Sequence, residues 1–266
     1  MRSSCISLPI VGALALLVLG SPLAAQSRSG SDQRNLGNPR WAGVSQTTSV
    51  AATVGSTTAS SAVTGTTRGH LLGASREVSS RSFTANQSGS ANRARIRLLS
   101  STVRDEALVN GVVRNMPMAY RTVFNLQYDI LDIGIATIGV HASAGAGTQY
   151  TAVARHRSGS NPAAHLSGPC QSYLAGEGGI RVRFLGGVAG SASATVRLEG
   201  LNTTFSMTLP TERNAISSRG MTMPVETLAW AFEVSGRLRG PFGISLGSRT
   251  FVRVEGPRSV VDILNR

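Results

Sequence analysis

The chain has 266 residues, with 26 Lys+Arg against 13 Asp+Glu and a formal net charge of +13. Lysine is absent, so every basic residue other than histidine is arginine. Of the two cysteines, Cys5 falls in an apolar leader, and Cys170 alone cannot form an internal disulfide, which excludes a disulfide-stapled miniature fold.

Arg2 gives a positive start, residues 6–19 are almost wholly apolar, and Gly20-Ser21-Pro22 break the run before Ala24-Ala25. Charge, apolar stretch and small-residue cleavage site in that order predict a secretory signal over residues 1–25. The run is shorter than the roughly 20 apolar residues that a membrane span needs. The expected location is therefore secreted, periplasmic or cell-surface.

Residues 26–70 read as a flexible lead-in rich in Ser, Thr and Gly. Its small-residue part, 42–67, has no strong alternation of polarity and is compatible with a stalk or an added edge strand. Residues 71–266 are expected to form a single β-rich domain. Two runs within 75–100 alternate, separated by Asn86-Gln87-Ser88-Gly89-Ser90, which predicts a hairpin. Its second run places Arg93, Arg95 and Arg97 on one face and Ala94, Ile96 and Leu98 on the other. Thr102 to Asp105 resembles a weak capping box, so one short helix at most is expected near 102–110.

Between 120 and 156 the pattern returns to strands, with Tyr120, Thr122, Phe124, Leu126 and Tyr128 on one side and frequent glycines that imply bulges. Residues 156–175 hold Pro162 and Pro169 and read as the longest loop. Thereafter short strands recur between turn residues, including Ile180-Arg-Val-Arg-Phe184 and the alternation of Ala192, Ala194, Val196 and Leu198 with Ser193, Thr195, Arg197 and Glu199. The fold class expected is all-β, an antiparallel sandwich or barrel-like domain after the signal.

Local motifs for catalysis or cofactors are lacking. His70, His141, His156 and His165 have no metal-ligand spacing, no Gly-x-Ser-x-Gly elbow occurs, and the glycine-rich stretches lack the Lys-Ser/Thr of a phosphate loop. No cofactor and no metal are expected, and no specific nucleic-acid motif is present. Asp129 and Asp132, three apart on an extended chain, face opposite sides and do not form a carboxylate pair. The best-defined chemical feature is the row Arg93, Arg95, Arg97, repeated in Arg181 and Arg183. Arginine forks suit phosphate, sulfate and carboxylate, and a strand spaces alternate residues about 6–7 Å apart. The competing reading is a solvated edge strand whose charges block pairing, in a genome that favours arginine codons.

Three functions follow as expectations. The first is a non-enzymatic exported β-domain binding anionic polysaccharide or lipid headgroups through these arginines. The second is an outer-membrane β-barrel, which low aromatic content disfavours. The third is a secreted hydrolase with His156, His165 and Cys170 on the 156–175 loop.

Overall fold

In the stretch 42–54 the residues at 46, 48, 50, 52 and 54 are buried, while those between them are open or half-open. Period-two burial is the signature of a strand with one face on a core. The computed structural model describes residues 25–38, 40–132, 134, 136–184, 191–217, 220–240, 244–256 and 259–265. The expected signal, Ala25 excepted, lies outside the described residues.

The first six strands are β1 (Gln26–Asn38), β2 (Ala42–Val54), β3 (Ala59–Leu71), β4 (Ala74–Asn86), β5 (Arg93–Leu98) and β6 (Ser101–Ala107). They form one antiparallel sheet in chain order. The second sheet holds β7 (Val113–Asp132), β8 (Ala136–Arg157), β9 (Ala163–Phe184), β10 (Ser191–Thr211), β11 (Pro224–Arg239) and β12 (Ser245–Glu255), again ordered as neighbours along the chain. A last strand, β13 (Ser259–Asp262), pairs with the start of β11, and a single turn of helix, α1 (Arg213–Ser217), lies between β10 and β11. The chain is thus almost wholly antiparallel β, as its alternating runs predict.

The two sheets share one core. Phe83 of β4 meets Tyr150 of β8 and Phe205 of β10 edge-on, at ring-centroid separations of 5.2 and 6.2 Å. Ala94 and Ile96 of β5, Leu166 and Cys170 of β9, and Met207 and Leu209 of β10 fill in around them. The carboxylate of Asp262 accepts from the Met223 and Leu264 amides at 3.1 and 3.0 Å, which ties the chain's end to this core.

The sheets differ in length. Strands β1 to β4 are 13 residues each, whereas β7 to β10 run to 20–22. The packed zone ends at a small cluster of Val78, Leu98 and Ala146, with Leu174 half-buried against it. Beyond it the second sheet continues alone.

Several sequence-based expectations are corrected. Residues 26–70 are not a lead-in: they form β1 to β3, and the small residues on their inner face, such as Ala52, Ala59 and Ser61, are buried. Residues 101–107 are a strand, not a helix; the bulge between Ile96 and Arg97 pairing gives their half-buried positions, 103 and 106, a false helical spacing. The 156–175 stretch is mostly strand, with only 158–162 outside β8 and β9. A register shift between Thr122 and Phe124 places Tyr120 on the opposite face from Leu126 and Tyr128. The hairpin of β4 and β5 forms as expected, with Ala94, Ile96 and Leu98 buried and the arginines outward.

Candidate anion-binding site

The free half of the second sheet is built of paired rows. Register across β8, β9, β10 and β11 aligns Thr137, Arg183, Ser191 and Arg239; the next row of that face is Gly139, Arg181, Ser193 and Arg237. A third row is His141, Gly179, Thr195 and Ser235, and a fourth is Ser143, Glu177, Arg197 and Glu233. Strand β7 adds Asp132, Asp129, Gln127 and Asn125 to the four rows, and β12 adds Ser245, Ser248, Thr250 and Arg253. A register shift between Asp129 and Leu131 brings Asp129 and Asp132 to one face, where a regular strand would set them on opposite sides. Because side chains alternate across a strand, these residues all project from one face, which is polar throughout.

This face forms a trough of about 510 Å³. Its floor is the hydroxyl column Ser191, Ser193 and Thr195, and its walls carry Arg181, Arg183, Arg237, Arg239 and Arg249. Arg181 and Arg237 flank Ser193 two strands apart, about 10 Å, and the next pair lies about 7 Å along the strands. At one end, the Glu177 carboxylate is held by Arg197 at 3.2 Å and lies 3.5 Å from the His141 ring. Glu233 lies 3.5 Å from Arg253. Among the described residues, no carboxylate pairs with any of the five wall arginines. Five guanidinium groups without a carboxylate at ion-pair distance outnumber the four carboxylates of that face, Asp129, Asp132, Glu177 and Glu233, and so raise the local potential for anions.

The row Arg93, Arg95, Arg97 stands elsewhere, and each of its arginines has a carboxylate within ion-pair distance. It lies on β5, between β4 and β6 rather than at a sheet edge. Asp105 accepts from both Arg93 and Arg95, the latter at 3.0 Å, and Glu77 lies 3.9 Å from Arg97. Hydrogen bonding from Arg93, and then from Arg95, holds the Asp105 carboxyl below the usual range. The structure therefore places Arg181 and Arg183 together with three arginines that the sequence reading did not single out. It does not bring Arg93, Arg95 and Arg97 to them, because they lie on the other sheet. The missed signal was Arg237-Leu-Arg239, which repeats the spacing of Arg181-Val-Arg183.

The residues considered for hydrolysis do not converge. Cys170 is fully buried in the core, and burial pushes its thiol up. His165 belongs to the opposite face of β9, and desolvation pushes its imidazole down. His156 lies 3.0 Å from the Asn92 amide nitrogen. A Ser45–His70 contact of 2.7 Å joins β2 and β3, but no carboxylate orients His70 among the described residues. No three His, Cys, Asp or Glu residues gather as a metal group among the described residues.

No protein-family model matches the chain, and no curated protein shows significant sequence similarity to it.

Proposed function

We propose that the protein is an exported, non-enzymatic β-sandwich that binds repeating anionic groups, on acidic polysaccharide or lipid headgroups, at the cell surface or in the periplasm. The observation that carries this reading is the trough of five carboxylate-free arginines over a floor of hydroxyls. Guanidinium groups pair bidentately with phosphate, sulfate and carboxylate, and serine hydroxyls between them donate to the oxygens left over. The spacing of about 7 by 10 Å suits a polymer with charges along its length better than one small ion. The trough takes over the role expected of Arg93, Arg95 and Arg97, whose three charges are largely offset by Asp105 and Glu77.

The test is retention of the exported protein on heparin across a sodium chloride gradient. Wild type is expected to elute well above physiological salt, because a cluster of charges holds on after single exposed charges are screened. The pair Arg181→Gln with Arg237→Gln should move elution down to about physiological salt, and Arg93→Gln with Arg95→Gln should leave it nearly unchanged. Equal losses from both pairs would mean that diffuse net charge, not the trough, does the binding.

A further inference from the structure

The face opposite the trough continues the inner, core-facing side of the second sheet past the end of the first sheet. Its register rows carry Leu131, Ile138, Val182, Ala192 and Leu238, then Tyr128, Val140, Ile180, Ala194 and Gly236, with Arg249 at the β12 edge of the second row. Ile180 is 53% exposed and Leu238 57%, and no second layer of described residues lies over them. Six strands spaced about 4.8 Å apart and about nine or ten residues long make a face of roughly 800 Å². Soluble monomers seldom expose apolar patches of more than a few hundred Å².

Two features say what covers it. The free halves of the strands have the length of transmembrane β-strands, about 9–11 residues, and a comparable division into a largely apolar and a largely polar face. The two edges of this half, β7 and β12, are also unpaired among the described residues, and every residue of β12 is exposed.

We infer that lipid acyl chains cover this face: the free half of the second sheet enters a bilayer as one section of a β-barrel that further copies of the chain close. Hydrocarbon tolerates no open sheet edge, so β7 of one copy must pair with β12 of the next. The arginine trough then faces the lumen, where polar side chains belong, and the first sheet with its packed partner stays in water. This rests on the apolar face, the strand lengths and the open edges, and it does not need the polyanion reading to hold.

The experiment is flotation of the exported protein with vesicles of neutral phosphatidylcholine, followed by planar-bilayer recording. A neutral lipid removes headgroup attraction as a cause of binding. Wild type is expected to float, to resist a carbonate wash, and to give stepwise conductance selective for chloride over potassium. Ile180→Asp with Leu238→Asp should remain at the bottom of the gradient while keeping the wild-type circular dichroism and melting curve, since both side chains are already exposed. Arg181→Gln with Arg237→Gln should still float and conduct, with its reversal potential shifted toward the cation value. Wild type left in solution, flotation without conductance, or a lipid-free dimer that the aspartate pair splits would each overturn the inference. None of these outcomes bears on heparin elution, so the two readings fail separately.

Discussion

Arg81 sits wholly buried between the sheets, and its three guanidinium nitrogens find no hydrogen-bond partner. Its guanidinium carbon lies 5.3 Å from the centre of the Phe205 ring, and the backbone of Gly65 passes close enough that a Cβ there would meet its nitrogen at 3.0 Å. Burial lowers its pKa, and the nearby Cys170 thiol offsets this only in part. A cation taken from water with so little compensation costs more than an apolar side chain of similar volume. The cation–π contact returns only about 2 kcal/mol even when desolvated. Arg81→Met is therefore expected to stabilise the fold by about 1–4 kcal/mol, in the range found when buried ions are replaced by packed apolar groups. Thermal unfolding followed by circular dichroism reads this directly. A lower melting temperature for the variant would show that the ring and the thiol more than repay the lost hydration.

At the scale of single strands, legibility depended on whether burial and polarity alternate together. In β5 they do: Arg93, Arg95 and Arg97 alternate with Ala94, Ile96 and Leu98, and the hairpin could be read directly. In β2 and β3 burial alternates but polarity does not, because Thr48, Ala52, Ala59 and Ser61 all face inward. Their small inner side chains leave room for Arg81 and Phe83 from β4, a long-range fit that no local pattern carries. The arginine trough was half legible for a related reason: Arg181 and Arg183 alternate visibly, but only register across β9, β10 and β11 sets Arg237 and Arg239 beside them. Strand β9 misled in another way, since Gly168-Pro169 reads as a turn and lies inside the strand. Gly168 has φ of +129°, and a Cβ there would meet the Thr151 carbonyl oxygen at 2.0 Å. Gly159, in the loop between β8 and β9, also has a positive φ of +107° but open space around it. Gly168→Ala should therefore lower stability by more than the roughly 1–3 kcal/mol of backbone strain that Gly159→Ala carries alone. Equal losses in chemical denaturation would mean that β8 and β9 separate at Gly168 without cost.

Across the whole molecule, the same strands pass through two environments. Between Thr148 and Ala154, β8 lies under the first sheet, where Tyr150, Ala152 and Ala154 are buried. From Ile138 to Ala144 it has neighbours on both sides, β7 and β9, but no layer of described residues over its apolar face. Strand pairing is alike in both halves, so backbone hydrogen bonds do not distinguish them; burial of apolar surface does, and it sets the free energy of local opening. Native-state hydrogen exchange in water should therefore fall in protection along single strands: high at 148–154, 164–172 and 203–209, and lower by orders of magnitude at 138–144, 176–183 and 232–239. A gradient of this kind locates the fold's stability in the layered half and leaves the amphipathic half dependent on its surroundings. If phosphatidylcholine vesicles then raise protection only in the free half, the added layer is the bilayer. Uniform protection along β8, β9 and β10 in water would instead mean that strand pairing alone makes the second sheet one cooperative unit, able to hold the arginine trough open without a partner.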